Sequence, residues 1–173
     1  MIRALLISLL LSSCALKGNA DPELYAGMLV TTAVVQHPMD QREVAGAPEA
    51  LAKGVADTLA TWGAAPQPAD VSAYIKPFSK RRTTAHRVAW LIEQSEADLV
   101  VLVETEARFF SQLQGRFRWV VDVTVAVAEV DRPEEAVEAT FSVPVFLQFQ
   151  HQREVEAVAA ATVSVGPNQQ GGQ

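Results

Sequence analysis

The sequence predicts an α+β fold, in which an antiparallel sheet of about four to five strands is covered on one face by two to three helices. Three long segments between residues 98 and 150 alternate apolar and polar residues, which is the period of a strand with one buried face. Other segments repeat apolar residues at helical spacing. A sheet with one apolar face needs a covering layer, and these helices supply it.

The strand predictions begin with "MLVTTAVVQ" at 28–36, which is rich in β-branched residues. A short strand is expected at 71–78, where Pro77 would close it. The long strands are expected at 98–110, 116–130 and 139–150. Their linkers, "SQLQG" and "DRPEE", are short enough for hairpins and predict an antiparallel meander. Pro144 cannot donate to a ladder, so it places the last strand at an edge or marks a bulge.

Three helices are predicted. The first lies within 47–64, where Pro48 suits the first turn, Gly63 suits the stop, and one stripe is formed by Leu51, Val55, Leu59 and Trp62. The second spans Thr83 to Ala97, and a third is expected from about Gln152 to Val163. All three have an apolar side suited to packing on the sheet.

The amino end has the layout of an export signal. Arg3 is followed by an apolar run from Ala4 to Leu11 and then by small residues before Cys14, the only cysteine of the chain. The run is far shorter than the roughly 20 residues that span a bilayer as a helix. Leu11-Ser12-Ser13-Cys14 resembles a bacterial lipobox, which implies cleavage before Cys14 and lipidation of its sulfur with acyl chains such as palmitate. The alternative is an ordinary secretory signal cut after Ala15 or Ala20.

These features predict the domain organisation. Residues 1–13 form the signal peptide, residues 14–22 the lipidated cysteine and a short tether, residues 23–163 one α+β domain, and residues 164–173 a disordered tail. The eight residues after Cys14 reach at most about 26 to 29 Å. Because Ala15 rather than Asp follows the cysteine, similarity to proteobacterial sorting rules implies the periplasmic face of the outer membrane.

Composition and motifs argue against several functions. The net charge of −6 disfavours nucleic acid as a partner. Because the histidines are scattered and no second cysteine exists, no metal site is predicted, and no cofactor is expected. Glu104 and Glu106 share one strand face and could suit a glycosidase. The alternative, a solvated face balanced by Arg108 or Arg118, is preferred, so no catalytic residue and no enzyme activity are predicted.

A basic segment precedes the second predicted helix. If Ser79 or Thr83 caps that helix, the cations at 80–82 lie at its amino end, where the helix dipole disfavours them. A bound anion would reverse that penalty. The candidate site for lipid headgroups or lipopolysaccharide phosphates is therefore formed by Lys80, Arg81, Arg82 and Arg87. A solvated basic loop is the alternative.

The order of elements carries a family resemblance over about residues 28–150. Ala97-Asp98 precedes the strand Leu99 to Val103, and a strand pair surrounds Val130-Asp131. This arrangement is similar to the periplasmic domains of the LpoB, CsgG and TolB amino-terminal-domain families. The resemblance implies a non-enzymatic accessory or assembly factor that binds a protein partner of a cell-envelope machine. The alternative is a lipid- or lipopolysaccharide-binding assembly lipoprotein that resembles LptE.

Overall fold

The computed structural model of the protein describes residues 25–39, 45–71, 83–148 and 153–165, with the backbone alone at 45–46 and 162–165. Within these residues the fold is α+β, as the sequence predicts, with one sheet and three helices. The strands are β1 (Leu29–Gln36), β2 (Ala45–Gly46), β3 (Ala65–Pro68), β4 (Leu99–Leu113), β5 (Arg116–Glu129) and β6 (Arg132–Gln148). The helices are α1 (Glu49–Thr61), α2 (Thr84–Glu93) and α3 (Glu154–Val165).

The sheet has the strand order β2-β1-β4-β5-β6, and β3 pairs with the amino-terminal half of β1. The predicted antiparallel meander is formed by β4, β5 and β6. Pro144 lies on β6, which is an edge strand of the described sheet. The sheet is nevertheless mixed, because β1 runs parallel to β3 and to β4. Helix-containing segments connect these strands, and such connections allow parallel pairing.

The predicted start and end of α1 and the predicted cap of α2 are observed. Helix α1 begins after Pro48 and ends at Thr61, with Trp62 as its C-cap residue and Gly63 after it at φ +81°. The Gly63 and Ala64 amides donate to the carbonyls of Ala60 and Leu59, so the end is a Schellman motif. Helix α2 begins after Thr83, whose side chain accepts the amide of the third helical residue. Helix α3 extends two residues into the segment predicted to be tail.

Two apolar cores lie on opposite faces of the sheet. The larger core packs α1 and α3 on alternate residues of the meander, and its members include Leu59, Val101, Val121 and Val158. The smaller core packs Val88 and Leu91 of α2 on the other face, against residues of β1, β4 and β5. The expectation that all helices cover one face is therefore corrected. The continuous buried run Leu99–Val103 explains this, since such runs are typical of strands covered on both faces.

The meander extends well beyond β1. Strand β1 pairs with β4 only as far as Thr105, and β4 continues for eight more residues to the turn at Gln114-Gly115. At about 3.4 Å per residue, that turn lies roughly 48 Å along β4 from Leu99. The turn therefore lies at the end of the sheet opposite Tyr25, where the described chain begins.

Two short strands, β2 and β3, were not predicted from the sequence. Strand β3 lies at the edge beside β1 and contains two prolines, which edge strands tolerate. The strand predicted at 71–78 is not seen at Val71, and the remaining residues of that segment lie outside the described ranges. Among the described helices, none combines the length and the apolar character needed to cross a bilayer.

Candidate functional site

A buried ionic cluster lies where α2 meets β4. Glu104 is only 4% exposed and uses both carboxylate oxygens. One oxygen is 2.8 Å from His37 Nε2 and 2.6 Å from Arg87 Nε. The other accepts from Thr84 Oγ1 at 2.7 Å and from Arg87 Nη2 at 2.9 Å. Because a carboxylate only accepts, His37 carries a proton on Nε2.

The protonation of Glu104 follows from these contacts. Burial alone would raise its pKa, but the hydrogen bonds from His37, Arg87 and Thr84 and the charge of Arg87 outweigh it and lower the pKa to about 2. The side chain is therefore an anion at every physiological pH. It can accept hydrogen bonds or balance a cation, but it cannot donate a proton.

An open cleft of about 220 Å³ adjoins the cluster. Its floor continues along the same face of β4 and β5 to Glu106, Asp122 and Thr124. Asp122 accepts from Arg108 at 2.7 Å and also from Ser142, and these contacts lower its pKa although partial burial opposes them. The cleft thus contains carboxylates held in the ionised form. No group of three metal-ligating side chains occurs in the part of the chain that the structure describes.

The structure corrects the predicted environment of Glu104. The sequence analysis placed it on a solvated face balanced by Arg108 or Arg118. Helix α2 buries it instead, and its partners are Arg87 and His37. His37 was not singled out, because 67 residues separate it from Glu104 and only the pairing of β1 with β4 brings them together.

The other predicted site residues have different placements. Cys14 and the cations Lys80, Arg81 and Arg82 lie outside the described residues. Arg87 is 5% exposed, and its guanidinium binds Glu104 inside the fold. That placement does not fit contact with a lipid headgroup. Thr83 caps α2, as one of the two alternatives for the basic segment requires. The anion site itself stays a prediction.

A second cluster occupies the far end of the meander. We call it the distal tip and define it by Phe110, Leu113, Arg116, Arg118 and Phe146, all of them exposed. An open pocket of about 410 Å³ is lined by four of them, Leu113, Arg116, Arg118 and Phe146. The sequence held two signals for it: Phe110 directly follows Phe109, which breaks the alternation, and Phe146 is out of phase with the inward residues of its strand. Neither signal indicates that the two rings meet one arginine.

Comparisons with known proteins give likenesses of fold. No family model matches the chain, and no curated protein matches its sequence. The solved structures it resembles include the PelC dodecamer from Paraburkholderia phytofirmans, with a TM-score of 0.43, 15% identity, and coverage of 82% of this chain and 86% of that one. Another is the lipoprotein GNA1162 from Neisseria meningitidis, with a TM-score of 0.43, 13% identity, and coverage of 79% and 95%. Such values assign no function.

Proposed function

We propose that this protein is a lipid-anchored, non-enzymatic accessory or assembly factor of the cell envelope, held on the periplasmic face of the outer membrane and bound to an envelope protein partner. The observation that carries the proposal is the short distance between the lipobox cysteine and the folded domain. Tyr25 is already 1% exposed and belongs to the larger core. Eleven residues after Cys14 the chain is therefore inside the fold.

This spacing limits where the domain can work. At about 3.3 to 3.6 Å per residue, the segment from Ala15 to Tyr25 spans at most about 36 to 40 Å. A domain attached in this way has a high effective concentration toward partners in or on the same membrane. Attachment by lipid is durable when two or more acyl chains are present, since each buried methylene contributes about 0.8 kcal/mol.

The ionic cluster supports a non-enzymatic role. A glycosidase needs one carboxyl group with a raised pKa to protonate the leaving oxygen. The pKa values of Glu104 and Asp122 are both lowered instead. Glu104 on β4 instead binds Thr84 and Arg87 of α2 and so stabilises the packing of this helix on the sheet.

The test of the anchor is the intact mass of the processed protein, together with membrane fractionation. Wild type should carry an acyl addition on Cys14 and sediment with membranes, whereas Cys14→Ser should lack the addition and remain as an unprocessed precursor. A wild-type mass without acyl groups would contradict the proposal. Release of peptidoglycan fragments by the purified protein, lost in Glu104→Gln, would contradict its non-enzymatic part.

A further inference from the structure

The distal tip holds an arginine between two exposed aromatic rings. The guanidinium carbon of Arg118 lies 4.5 Å from the ring centre of Phe110 and 5.7 Å from that of Phe146. The two rings are 61% and 63% exposed, and Leu113 beside them is 72% exposed. Exposed phenylalanine and leucine side chains in such a group are unusual on a soluble surface and indicate contact with something else.

A β-bulge and a tight turn in the backbone fix the positions of these side chains. Phe109 pairs with Trp119 and Ser111 pairs with Arg118, so Phe110 is the extra residue of a β-bulge. A bulge turns a side chain toward a position that regular pairing would not allow, and bulges are frequent next to functional sites. Gln114 and Gly115 follow with φ of +48° and +76°, the two positive values of a tight hairpin turn. The tip is therefore a firm, preformed surface.

The charge of the tip is opposite to that of the whole chain. Between Ala107 and Val121 the sequence has three arginines and no acidic residue, although the chain carries a net charge of −6. The facing stretch of β6, from Ala139 to Gln148, has no charged residue. A cationic surface with exposed apolar side chains is complementary to an anionic partner that also offers an apolar layer.

We propose that the distal tip docks onto the headgroup layer of an anionic phospholipid bilayer. Phe110, Leu113 and Phe146 enter the boundary between headgroups and acyl chains, where amphipathic and aromatic side chains are favoured. Arg116 and Arg118 pair with lipid phosphates, for which the planar guanidinium is well suited. The flanking rings hold Arg118 in place before binding, so less freedom is lost on contact.

A bilayer fits the tip better than a second copy of the chain. A stable protein interface uses about 20 to 30 residues on each side, whereas the tip offers five side chains. A symmetric dimer through so small a surface would also bring the cationic side chains Arg116 and Arg118 of both copies into one interface. Shallow membrane insertion needs only a few apolar side chains together with basic ones.

This inference goes beyond the proposed function and does not depend on lipidation of Cys14. The tip and Tyr25 lie at opposite ends of the sheet. If the tip docks on the membrane that also holds the tether near Tyr25, the long axis of the domain lies along the membrane surface.

The experiment uses the full chain with Cys14→Ser, which removes the acyl anchor and the only native cysteine. Leu113→Cys is added and labelled with an environment-sensitive fluorophore, and Glu134→Cys at the opposite end gives the matched control. Phosphatidylethanolamine vesicles containing phosphatidylglycerol should shift the emission of the label at 113 to the blue, while pure phosphatidylcholine vesicles should not. The label at 134 should remain in water.

Substitutions then test the side chains. The double change Arg116→Gln and Arg118→Gln should lower the vesicle affinity reported by the label at 113 roughly 30-fold. Added salt should also lower the affinity of the labelled protein that keeps both arginines. Phe110→Ser with Phe146→Ser should weaken it roughly tenfold or more. Arg132→Gln, which removes an exposed arginine at the opposite end, should change nothing, and Arg118→Lys should retain most binding. Circular dichroism verifies that each variant folds.

Three results would overturn the proposal. One is an absent shift at label 113, and another is an equal shift with both kinds of vesicle. The third is a shift without vesicles that grows with protein concentration, which would assign the tip to self-association.

Discussion

At the scale of single residues, the fold buries the carboxylate of Glu104, which the sequence analysis placed on a solvated face. Glu104 receives four contacts from three side chains while almost completely buried. A buried carboxylate without such partners would cost several kcal/mol. The cluster therefore stabilises the docking of α2 only as a complete set, in which α2 and the residue that follows β1 supply the partners of Glu104.

The first prediction concerns the pH dependence of stability. The pKa of Glu104 is about 2 in the folded protein, against an ordinary value of 4.5, so ionisation favours the fold. The contribution is complete above pH 4.5 and is lost as the pH falls toward 2, and it amounts to about 3 kcal/mol. Glu104→Gln should lower the free energy of unfolding at pH 7 and flatten its decline between pH 4.5 and 2. Urea unfolding at a series of pH values measures both effects.

The control for that prediction is Glu134→Gln, which removes an exposed carboxylate near the start of β6. It should leave the acid decline of the wild type in place. Parallel profiles for wild type and Glu104→Gln would show that this carboxylate does not cause the decline.

At the scale of elements, the hairpin of β4 and β5 combines regular pairing with one inserted residue. The ladder runs from Leu99 opposite Glu129 to Leu113 opposite Arg116, and Phe110 interrupts it. On the face of the larger core, Phe109, which is itself 47% exposed, packs edge-on against the buried Trp119 at 5.6 Å. The bulge thus separates an aromatic residue that contacts the edge of this core from the more exposed one beside it.

The second prediction is that deletion of Phe110 is tolerated by the fold. Removal of the extra residue would leave Ser111 opposite Arg118 and restore a regular ladder, so the free energy of unfolding should change by about 1 kcal/mol or less. Deletion of Val103, in the regular part of the same strand, should prevent folding, because a one-residue shift exchanges the two faces. Circular dichroism and urea unfolding compare the two. Equal damage from both deletions would contradict the assigned bulge.

At the scale of the whole molecule, one sheet is shared by two cores. Successive residues of β4 alternate between them: Val101 belongs to the core of α1 and α3, and Leu102 to the core of α2. Neither face can lose its packing without exposing the same strand. The sheet therefore couples the two helical layers into one cooperative unit.

The third prediction follows from this coupling. Trp62 and Trp119 report on the larger core and Trp90 on the smaller one, and the chain has no other tryptophan. Trp90→Phe and the double change Trp62→Phe with Trp119→Phe give reporters for one face each. In both backgrounds, fluorescence and circular dichroism should give the same urea midpoint.

Adding Leu102→Ala should lower the free energy of unfolding by about 2 to 5 kcal/mol in both backgrounds, through the cavity left in the smaller core. If the Trp90 signal changed at a lower urea concentration than the other two tryptophans, α2 would be an independent unit. That result would contradict the shared-sheet account.

Local signals in the sequence were sufficient for most elements. Pro48 and Gly63 delimited α1 because helix ends are set by neighbouring backbone groups. The alternation in β5 and β6 identified their inward residues, since the pleat has a fixed period of two. The short linkers of the meander predicted its antiparallel pairing. The four-residue β3 had no such signal, because pairing with β1 rather than its own composition makes it a strand.

The candidate sites were less accessible from sequence. The basic residues were singled out by their charge and by their position at the amino end of a predicted helix. The structure shows that Arg87 among them binds Glu104 inside the fold. Phe146 was noted as out of phase, but its approach to Arg118 depends on the register of β5 with β6. The charge of a residue and its place in an alternating pattern can be identified from the sequence. Contacts between residues that are distant in the sequence cannot.

The sequence by itself therefore determined the α+β class, the meander, both ends of α1 and the start of α2, because each depends on residues close together in the chain. The lipid anchor stays a prediction from the sequence. The tertiary structure alone decided that α2 covers the second face, that His37 and Arg87 bind Glu104, and that two phenylalanines flank Arg118. These contacts join residues separated by the pairing of whole strands. Their energies depend on burial, and burial is a property of the assembled layers rather than of any segment.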